Sequence, residues 1–211
     1  MKAVIFDMDG VLIDSLPIHL AIWPKIFARY GLPMFDAMKV NGMSTREICV
    51  QACRGTGVDP EALLRAKDAE EDKVTASILL MPGAKDCLQR LKAAFAVGMA
   101  TSSTRDHVLR LDKNLHFLRH FNEWVTSSDV VKSKPAPDIY LLAAKRLGVF
   151  PVDCLVIEDA GNGIIAAKAA GMKCVALKNK YLDAAGAAKA DYSVGSLHEI
   201  TPALVSKLLK I

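Results

Sequence analysis

The segment KAVIFDMDGVLID, residues 2–14, constrains this chain more than any other. Its apolar run from Ala3 to Phe6 is too short for a helix and suits a strand buried on both faces of a parallel sheet. Asp7 and Asp9 follow two positions apart, so an extended backbone directs both carboxylates to one side, and Gly10 permits a sharp turn. The paired acids therefore fall where open α/β sheets bind ligands.

Simpler interpretations of these acids compete with a ligand site. A calcium-binding EF-hand loop starting at Asp7 would need glycine at its sixth position and glutamate at its twelfth, where the chain has Leu12 and Ile18. Either acid could instead cap a turn or a helix, because short acids hydrogen-bond to nearby backbone amides. Two acids after an apolar strand favour a metal or catalytic site, because they repel one another and need a cation or a shared proton.

Composition bounds the class of protein. A chain of 211 residues with 52% hydrophobic residues can bury one large core, with or without an inserted smaller domain. No apolar run approaches membrane-spanning length, and the N-terminus enters a strand at once, leaving no room for a signal peptide. Five cysteines without a CxxC pair indicate reduced, packed thiols. We therefore expect a cytoplasmic protein with no membrane partner.

The charge pattern favours a small anionic ligand. The net charge is +4, but the basic residues are dispersed and no patch combines them with aromatic residues. We therefore expect no nucleic-acid partner, and we expect a monomer.

Periodicity divides the chain into a helical part and an alternating part. Residues 18–80 carry helical spacing only, with a helix over 18–30, a capping box formed by Ser44 and Glu47, and a helix from 62 to about 80. After Pro82 strands alternate with helices, which indicates a doubly wound parallel sheet. The predicted strands cover residues 96–101, 123–126, 154–158, 174–177 and 192–194. The fold class is therefore α/β, with a discontinuous core (1–15 and 82–211) and an inserted all-helical cap (16–81).

Polar side chains collect where these strands end. Asp7 follows the first predicted strand, Thr101 and Ser102 end the second, and Glu158 and Asp159 end the fourth. Lys134 lies after the third strand, in a loop that prolines make rigid. Each of these residues alone could be a helix cap, a turn residue or a solvated charge. Together they suit phosphoryl transfer, since carboxylates and phosphate oxygens are ligands that Mg²⁺ prefers. A carboxylate nucleophile also needs that cation and a lysine to offset phosphate charge.

The glycines at 161 and 163 belong to a stretch that fits a dinucleotide-binding fingerprint after a strand. Glu158 and Asp159 precede it directly and would place two negative charges against a pyrophosphate. We expect the glycines to let the loop pass the metal site instead.

These motifs closely resemble the haloacid dehalogenase superfamily, in its phosphatase and β-phosphoglucomutase-like branch. FDMDGVLID, ATSS, SKPAPDIY and VIEDAGNGIIAAKAAGM match its four motifs in order, with the helical cap in the expected gap. The resemblance implies that Asp7 is the nucleophile that forms an aspartyl-phosphate and Asp9 the general acid and base. It implies that Thr101 binds the phosphoryl group, that Lys134 pairs with Asp7, and that Mg²⁺ is held by a set of four residues: Asp7, Asp9 through its carbonyl, Glu158 and Asp159.

The resemblance also implies substrate contacts, which separate two activities. Ser102, Ser103, Arg105, His19 and Arg46 occupy positions near those that bind substrate in β-phosphoglucomutases. Those mutases carry Ser-Lys-Asn for the distal phosphate, whereas this chain has Ser103-Thr104-Arg105. His19 could equally be a packed hinge residue and Arg46 a solvated charge.

We predict a Mg²⁺-dependent phosphatase acting on small phosphorylated metabolites, with sugar phosphates as the expected class. A β-phosphoglucomutase-type mutase is the alternative. An inactive regulatory protein that binds a phosphorylated ligand is a third possibility.

Overall fold

A six-stranded parallel sheet forms the centre of the protein. The computed structural model describes residues 1–34, 40–182 and 184–210. The sheet order is β3-β2-β1-β4-β5-β6, and every neighbouring pair is parallel. This is a doubly wound order with its switch point between β1 and β4, which confirms the predicted fold class. The strands are β1 (Ala3–Phe6), β2 (Ala96–Ala100), β3 (Glu123–Val125), β4 (Cys154–Glu158), β5 (Lys173–Leu177) and β6 (Tyr192–Val194).

Helices of the described residues are numbered in chain order. Three lie between β1 and β2 before the core resumes, and the others cover the sheet. They are α1 (Leu16–Tyr30), α2 (Thr45–Cys53), α3 (Pro60–Asp72), α4 (Ala84–Lys92), α5 (Arg105–Leu115), α6 (Asp138–Leu147), α7 (Gly161–Ala169), α8 (Ala184–Ala187) and α9 (Pro202–Leu209).

Both faces of β1 are buried, as its unbroken apolar run predicts. Val4 and Phe6 pack into a cluster with α4, α5 and α9. Ala3 and Ile5 point to the opposite face and pack with α6 and α7. Alternate residues of one strand thus enter two separate layers of core, which fixes the strand's register and the place where Asp7 emerges.

Helices α1, α2 and α3 form a third apolar cluster, built around Trp23, Phe27, Cys49 and Leu63. In the described residues between Leu16 and Met81 no strand is formed, so the insert is helical as predicted. Its two connections run side by side, with a Met81 N–H donating to the Leu12 carbonyl at 2.8 Å and Asp14 N–H to Leu79 at 2.9 Å. The exact domain boundaries, 1–15 and 82–211 against 16–81, stay a prediction.

One helix is shorter than its periodicity indicates. The helix predicted to reach residue 80 ends at Asp72, followed by a 3₁₀ turn at Thr75–Ser77. Thr75 Oγ1 donates to the Glu71 carbonyl at 2.9 Å and so competes for a helical acceptor. All five cysteines are buried free thiols, as expected. In the part of the chain that the structure describes, no helix combines the length and apolarity needed to cross a bilayer.

Candidate active site

Three carboxylates converge at the carboxyl ends of β1 and β4. Asp7, Glu158 and Asp159 are all buried, and oxygens of the three lie within 4.8 Å of one another. Asp7 is held in register by its N–H, which donates to the Ile157 carbonyl at 3.0 Å. Gly10 has φ +76°, and a Cβ there would lie 2.1 Å from Asp159 Oδ2. The glycine therefore serves both the turn and the close approach of Asp159.

Lys134 is the cation inside this group. Its Nζ lies 2.7 Å from Asp7 Oδ1, 2.8 Å from Glu158 Oε1 and 3.2 Å from the Ala100 carbonyl, with 1% of the residue exposed. Burial lowers the pKa of Lys134, but the charges of Asp7 and Glu158 outweigh it and hold the pKa above its usual value. The lysine is therefore charged and fixed by three acceptors.

Both carboxylate oxygens of Glu158 accept hydrogen bonds from groups of the protein. Oε1 accepts from Lys134 and from Tyr140 Oη at 2.9 Å, and Oε2 accepts from the N–H groups of Asp159 and Ala160 at 2.8 and 2.9 Å. A Cβ at Gly163 would lie 1.6 Å from Oε1. The glycine of the fingerprint-like stretch thus makes room for a carboxylate rather than for a pyrophosphate.

The carboxylates carry more charge than Lys134 can offset. Burial, followed by repulsion from Glu158 and Asp9, raises the pKa of Asp7 to about 7 in spite of Lys134. Burial and the charge of Glu158 raise the pKa of Asp159 well above its usual value. Three carboxylates facing one lysine leave two excess negative charges in a buried space. A divalent cation bound by hard oxygen ligands fits this group.

The Asp9 side chain forms its hydrogen bonds with the hinge of the cap and with the residues that follow β2. Its Oδ1 accepts from Ser15 Oγ at 2.6 Å and lies 3.4 Å from His19 Nε2. Its Oδ2 accepts from Ser103 Oγ at 2.8 Å and lies 3.4 Å from Thr101 Oγ1. The side chain thus joins the hinge of the cap to the end of β2.

Asp9 and His19 share a proton that rests on the histidine. Partial burial raises the pKa of Asp9, but the hydrogen bond and charge of His19 outweigh it and hold the pKa well below its usual range. Burial lowers the pKa of His19, but its contacts with Asp9 and Glu71 raise it to about 9. At neutral pH Asp9 is therefore ionised and His19 is protonated.

The segment before α2 closes against the core. Ser102 Oγ donates to the Gly42 carbonyl at 2.7 Å, and Asn162 Nδ2 donates to the Asn41 carbonyl at 2.8 Å. Ser44 N–H contacts Ser133 Oγ at 3.4 Å. The capping box is half formed, because Ser44 Oγ accepts from the Glu47 N–H while the Glu47 side chain bonds to Ser133 instead. The cap is closed over the carboxylates.

The model of the haloacid dehalogenase-like hydrolase family matches residues 1–171, which contain all of these side chains. The chain belongs to this family.

The chain has well-covered relatives with assigned activities. It is 37% identical over 180 residues to fructose-1-phosphate phosphatase YqaB of Escherichia coli K12, covering 82% of this chain and 94% of the relative. It is 32% identical over 188 residues to beta-phosphoglucomutase of Bacillus subtilis 168, covering 83% and 82%. The crystal structure of CbbY from Rhodobacter sphaeroides in complex with phosphate superposes with a TM-score of 0.81 at 26% identity, covering 95% and 96%. The protein is therefore an enzyme, either a phosphoric monoester hydrolase or a phosphomutase.

Two predicted substrate residues lie outside the group around Asp7. The Arg105 guanidinium pairs with Asp129 at 3.2 Å and stacks 4.3 Å from the centre of the Trp124 ring. Arg46 pairs with Glu61 and is largely exposed. Their substrate roles stay predictions, as do the roles of Asp7, Asp9, Thr101, Lys134, Glu158, Asp159, Ser102, Ser103 and His19, which the structure brings together.

Four side chains join the site without a prediction. Asn179 Nδ2 donates to Asp159 Oδ2 at 2.9 Å, and its place directly after β5 could have indicated it. Tyr140 ends the SKPAPDIY motif, which could have indicated it, whereas Ser15 carries no such signal. Glu71 belongs to a charged helix whose polar residues suggest a solvated face, yet it is 2% exposed and its Oε1 lies 3.0 Å from His19 Nδ1.

Two cavities lie side by side between the cap and the core. The smaller, about 110 Å³, contains Asp7, Asp9 and Asp159 in its wall, with apolar residues of α1 and α2 opposite. The larger, about 340 Å³, is bounded by α2, α3, α5 and the loop at 127–133. Both are lined by Thr45, Ser102 and Ser103, so they are neighbours.

Proposed function

We propose that the protein is a cytoplasmic, Mg²⁺-dependent phosphatase that hydrolyses phosphate monoesters of small hydroxylated metabolites, sugar phosphates among them, through an aspartyl-phosphate. One observation carries the proposal: a buried aspartate at the end of β1, held by a lysine at 2.7 Å, within a group of carboxylates that has too much negative charge to stand alone. Relatives named as phosphatases of fructose 1-phosphate and of phosphorylated carbohydrates support the substrate class.

The first chemical step transfers the phosphoryl group to Asp7. Asp7, Glu158 and Asp159 offer the oxygens that would hold Mg²⁺, which when bound supplies positive charge against the phosphoryl oxygens. An Asp7 oxygen forms a bond to phosphorus as the ester P–O bond breaks. Lys134 keeps Asp7 oriented, and Thr101 and Ser102 lie where donors to the transferring oxygens are needed.

Proton transfer falls to Asp9. It gives a proton to the leaving oxygen, and His19, protonated and 3.4 Å away, is placed to supply that proton. In the second step Asp9 takes a proton from water as the water oxygen bonds to phosphorus and the bond to Asp7 breaks. Phosphate leaves, and Asp7 is regenerated.

A phosphomutase remains the second candidate, because the Bacillus subtilis relative carries that name. A mutase must hold a bisphosphate at both ends until a sugar hydroxyl attacks the intermediate. Arg105, the cation expected to anchor the distal phosphate, is paired with Asp129 in this structure. This observation favours hydrolysis.

A paired assay separates the two activities. The protein is given β-glucose 1-phosphate, Mg²⁺ and a trace of the 1,6-bisphosphate, and glucose 6-phosphate and free phosphate are followed together. The proposal predicts phosphate release that requires Mg²⁺ and outpaces isomerisation. Isomerisation far faster than phosphate release would assign the protein to the mutases instead.

A further inference from the structure

The larger cavity is a polar compartment beside the carboxylates. Its wall adjoins the small cavity through Ser102 and Ser103, the residues directly after β2. Its volume of about 340 Å³ lies within the range of small-ligand sites, whereas the 110 Å³ beside Asp7 suits little more than a phosphoryl group. A leaving group larger than a few atoms therefore has room in the larger cavity.

The cations in the wall of this cavity are already paired. Lys67 is 3% exposed, and its Nζ lies 2.5 Å from Glu71 Oε2. Arg46 pairs with Glu61 at the rim. The described lining contains these two basic side chains against three acidic ones, Glu47, Asp68 and Glu71. A second phosphate would meet no unpaired lysine or arginine among these residues.

The same cavity wall offers hydrogen-bond partners for an uncharged hydroxyl group, namely the ring nitrogens of His107. His107 is 4% exposed, and neither ring nitrogen has a hydrogen-bond partner among the described residues; its nearest ion is Glu71 Oε2, 3.6 Å from Nδ1. Burial lowers its pKa, so the ring is neutral near pH 7 and offers one donor and one acceptor. Buried polar atoms are seldom left without partners, because an unsatisfied buried donor or acceptor destabilises the folded protein. A ligand hydroxyl would satisfy the ring.

We propose that the larger cavity receives the leaving group of the substrate and that Glu71, by neutralising Lys67, restricts it to uncharged polyhydroxylated groups. The substrates are then monoesters with a single phosphate, and bisphosphates are rejected. This inference rests on the proposed phosphatase activity and adds its selectivity. Glu71 acts as a specificity-determining residue, with His107 as a hydroxyl-binding one.

The test is the variant Glu71→Gln, which keeps the shape of the side chain and frees the charge of Lys67. Values of kcat/KM are measured for fructose 1-phosphate and fructose 1,6-bisphosphate, and the ratio is the readout. Because Glu71 also contacts His19, both rates can fall, but a common loss cancels in the ratio. We expect the wild-type ratio to favour the monophosphate and to fall by about tenfold or more in the variant, because the freed charge of Lys67 would then attract the second phosphate.

The matched control is Glu70→Gln. Glu70 is the preceding residue of the same helix, pairs with Lys73 at 2.5 Å and does not line the cavity, so the ratio should stay at the wild-type value. The double variant Glu71→Gln with Lys67→Met should lose the gain toward the bisphosphate. If Glu71→Gln does not fold, Lys67→Met alone serves, and it should widen the preference for the monophosphate.

Distinct results would overturn the two proposals. A wild-type enzyme that hydrolyses the bisphosphate as well as the monophosphate, or a folded Glu71→Gln variant with an unchanged ratio, contradicts the inference. A strong preference for an aryl phosphate over every sugar phosphate would place the leaving group in the small apolar cavity and also contradict it. Failure to hydrolyse either fructose phosphate or p-nitrophenyl phosphate would instead refute the phosphatase.

Discussion

Lys134 links the predicted nucleophile to its surroundings. It contacts Asp7 and Glu158 at 2.7 and 2.8 Å and is shielded from water. Glu158 is in turn fixed by Tyr140 and by two backbone N–H groups, so the lysine is positioned by a residue that is itself immobilised. Such an arrangement keeps Asp7 oriented without reorganisation during the reaction.

Replacing Lys134 with methionine should lower both activity and stability. We expect a fall in kcat of at least about 10²-fold, the range of other electrostatic contacts in catalysis. We also expect a loss of about 3–5 kcal/mol of unfolding free energy without Mg²⁺, because two buried carboxylates lose their counter-ion. Steady-state kinetics and urea unfolding measure the two effects. Lys132→Met, two residues earlier on the exposed part of the loop, is the control. A near-normal kcat for Lys134→Met would contradict the catalytic role of Lys134, and near-normal stability would contradict its role as a buried counter-ion.

At the scale of elements, the contact between cap and core depends on the N-terminus of α2. Ser44 caps this helix through the Glu47 N–H and also lies 3.3 Å from Ser133 Oγ of the core. Asp59 caps α3 through the N–H groups of Glu61 and Ala62 and pairs with Arg65 of the same helix, and it forms no hydrogen bond or ion pair with the described residues of the core. Both residues cap a helix, but Ser44 also contacts the core and so helps to hold the cap closed over the site.

Ser44→Ala and Asp59→Ala should therefore differ in one respect. Each should cost about 1 kcal/mol of stability through loss of a helix cap. Ser44→Ala alone should raise KM, by about fivefold if one hydrogen bond of closure is lost. Thermal unfolding and steady-state kinetics of both variants make the comparison. Equal KM values in the two variants would show that closure does not depend on Ser44.

The elements that the sequence predicts correctly are those whose position is set by a local pattern of residues. Strands β1 and β4 lie where their apolar residues predict, because burial on both faces leaves a strong local pattern. The order of polar residues at strand ends, and with it the gathering of Asp7, Lys134 and Asp159, follows from the topology of a parallel sheet. The early end of α3 could not be predicted from the helical spacing, since it depends on the Thr75 hydroxyl, which donates a hydrogen bond to the backbone carbonyl of Glu71.

Side-chain pairs formed across long stretches of chain escaped prediction. Tyr140 bonds to Glu158 and Glu71 contacts His19, and neither pair shares a local motif. Arg105 follows a motif in which a basic residue suggests phosphate, yet Asp129 and Trp124 hold it. The partner of each of these side chains is set by packing between elements that are distant in the chain, and a single sequence does not show that packing.

At the scale of the whole molecule, the excess charge of the site couples metal binding to stability and pH. The folded-state pKa of Asp7 is about 7 against a usual 3.8. Between these values the folded protein without metal binds more protons than the unfolded chain, so its stability falls as pH rises from about 4 to 7. A bound cation would replace the proton.

Mg²⁺ should consequently stabilise the protein more at high pH than at low pH. We expect its addition to raise Tm by more at about pH 8 than at about pH 5, because at low pH it must displace a proton from Asp7. Calorimetry with Mg²⁺ or EDTA at each pH measures the difference. In Asp7→Asn the pH dependence of this shift should shrink; an equal or smaller shift at the higher pH in the wild type would contradict the proposed metal site.

The most direct test of the whole account is to trap the phosphoryl group on Asp7. In Asp9→Asn the general base for the attack of water is lost, whereas p-nitrophenyl phosphate has a leaving group that needs no proton, so the intermediate should accumulate. We expect a burst of one nitrophenolate per active site in Asp9→Asn. Mass spectrometry should also find the peptide that contains Asp7 heavier by one phosphoryl group. The double variant Asp7→Asn with Asp9→Asn should show neither the burst nor the heavier peptide. Steady turnover without a burst, with Asp7 unmodified, would contradict the account.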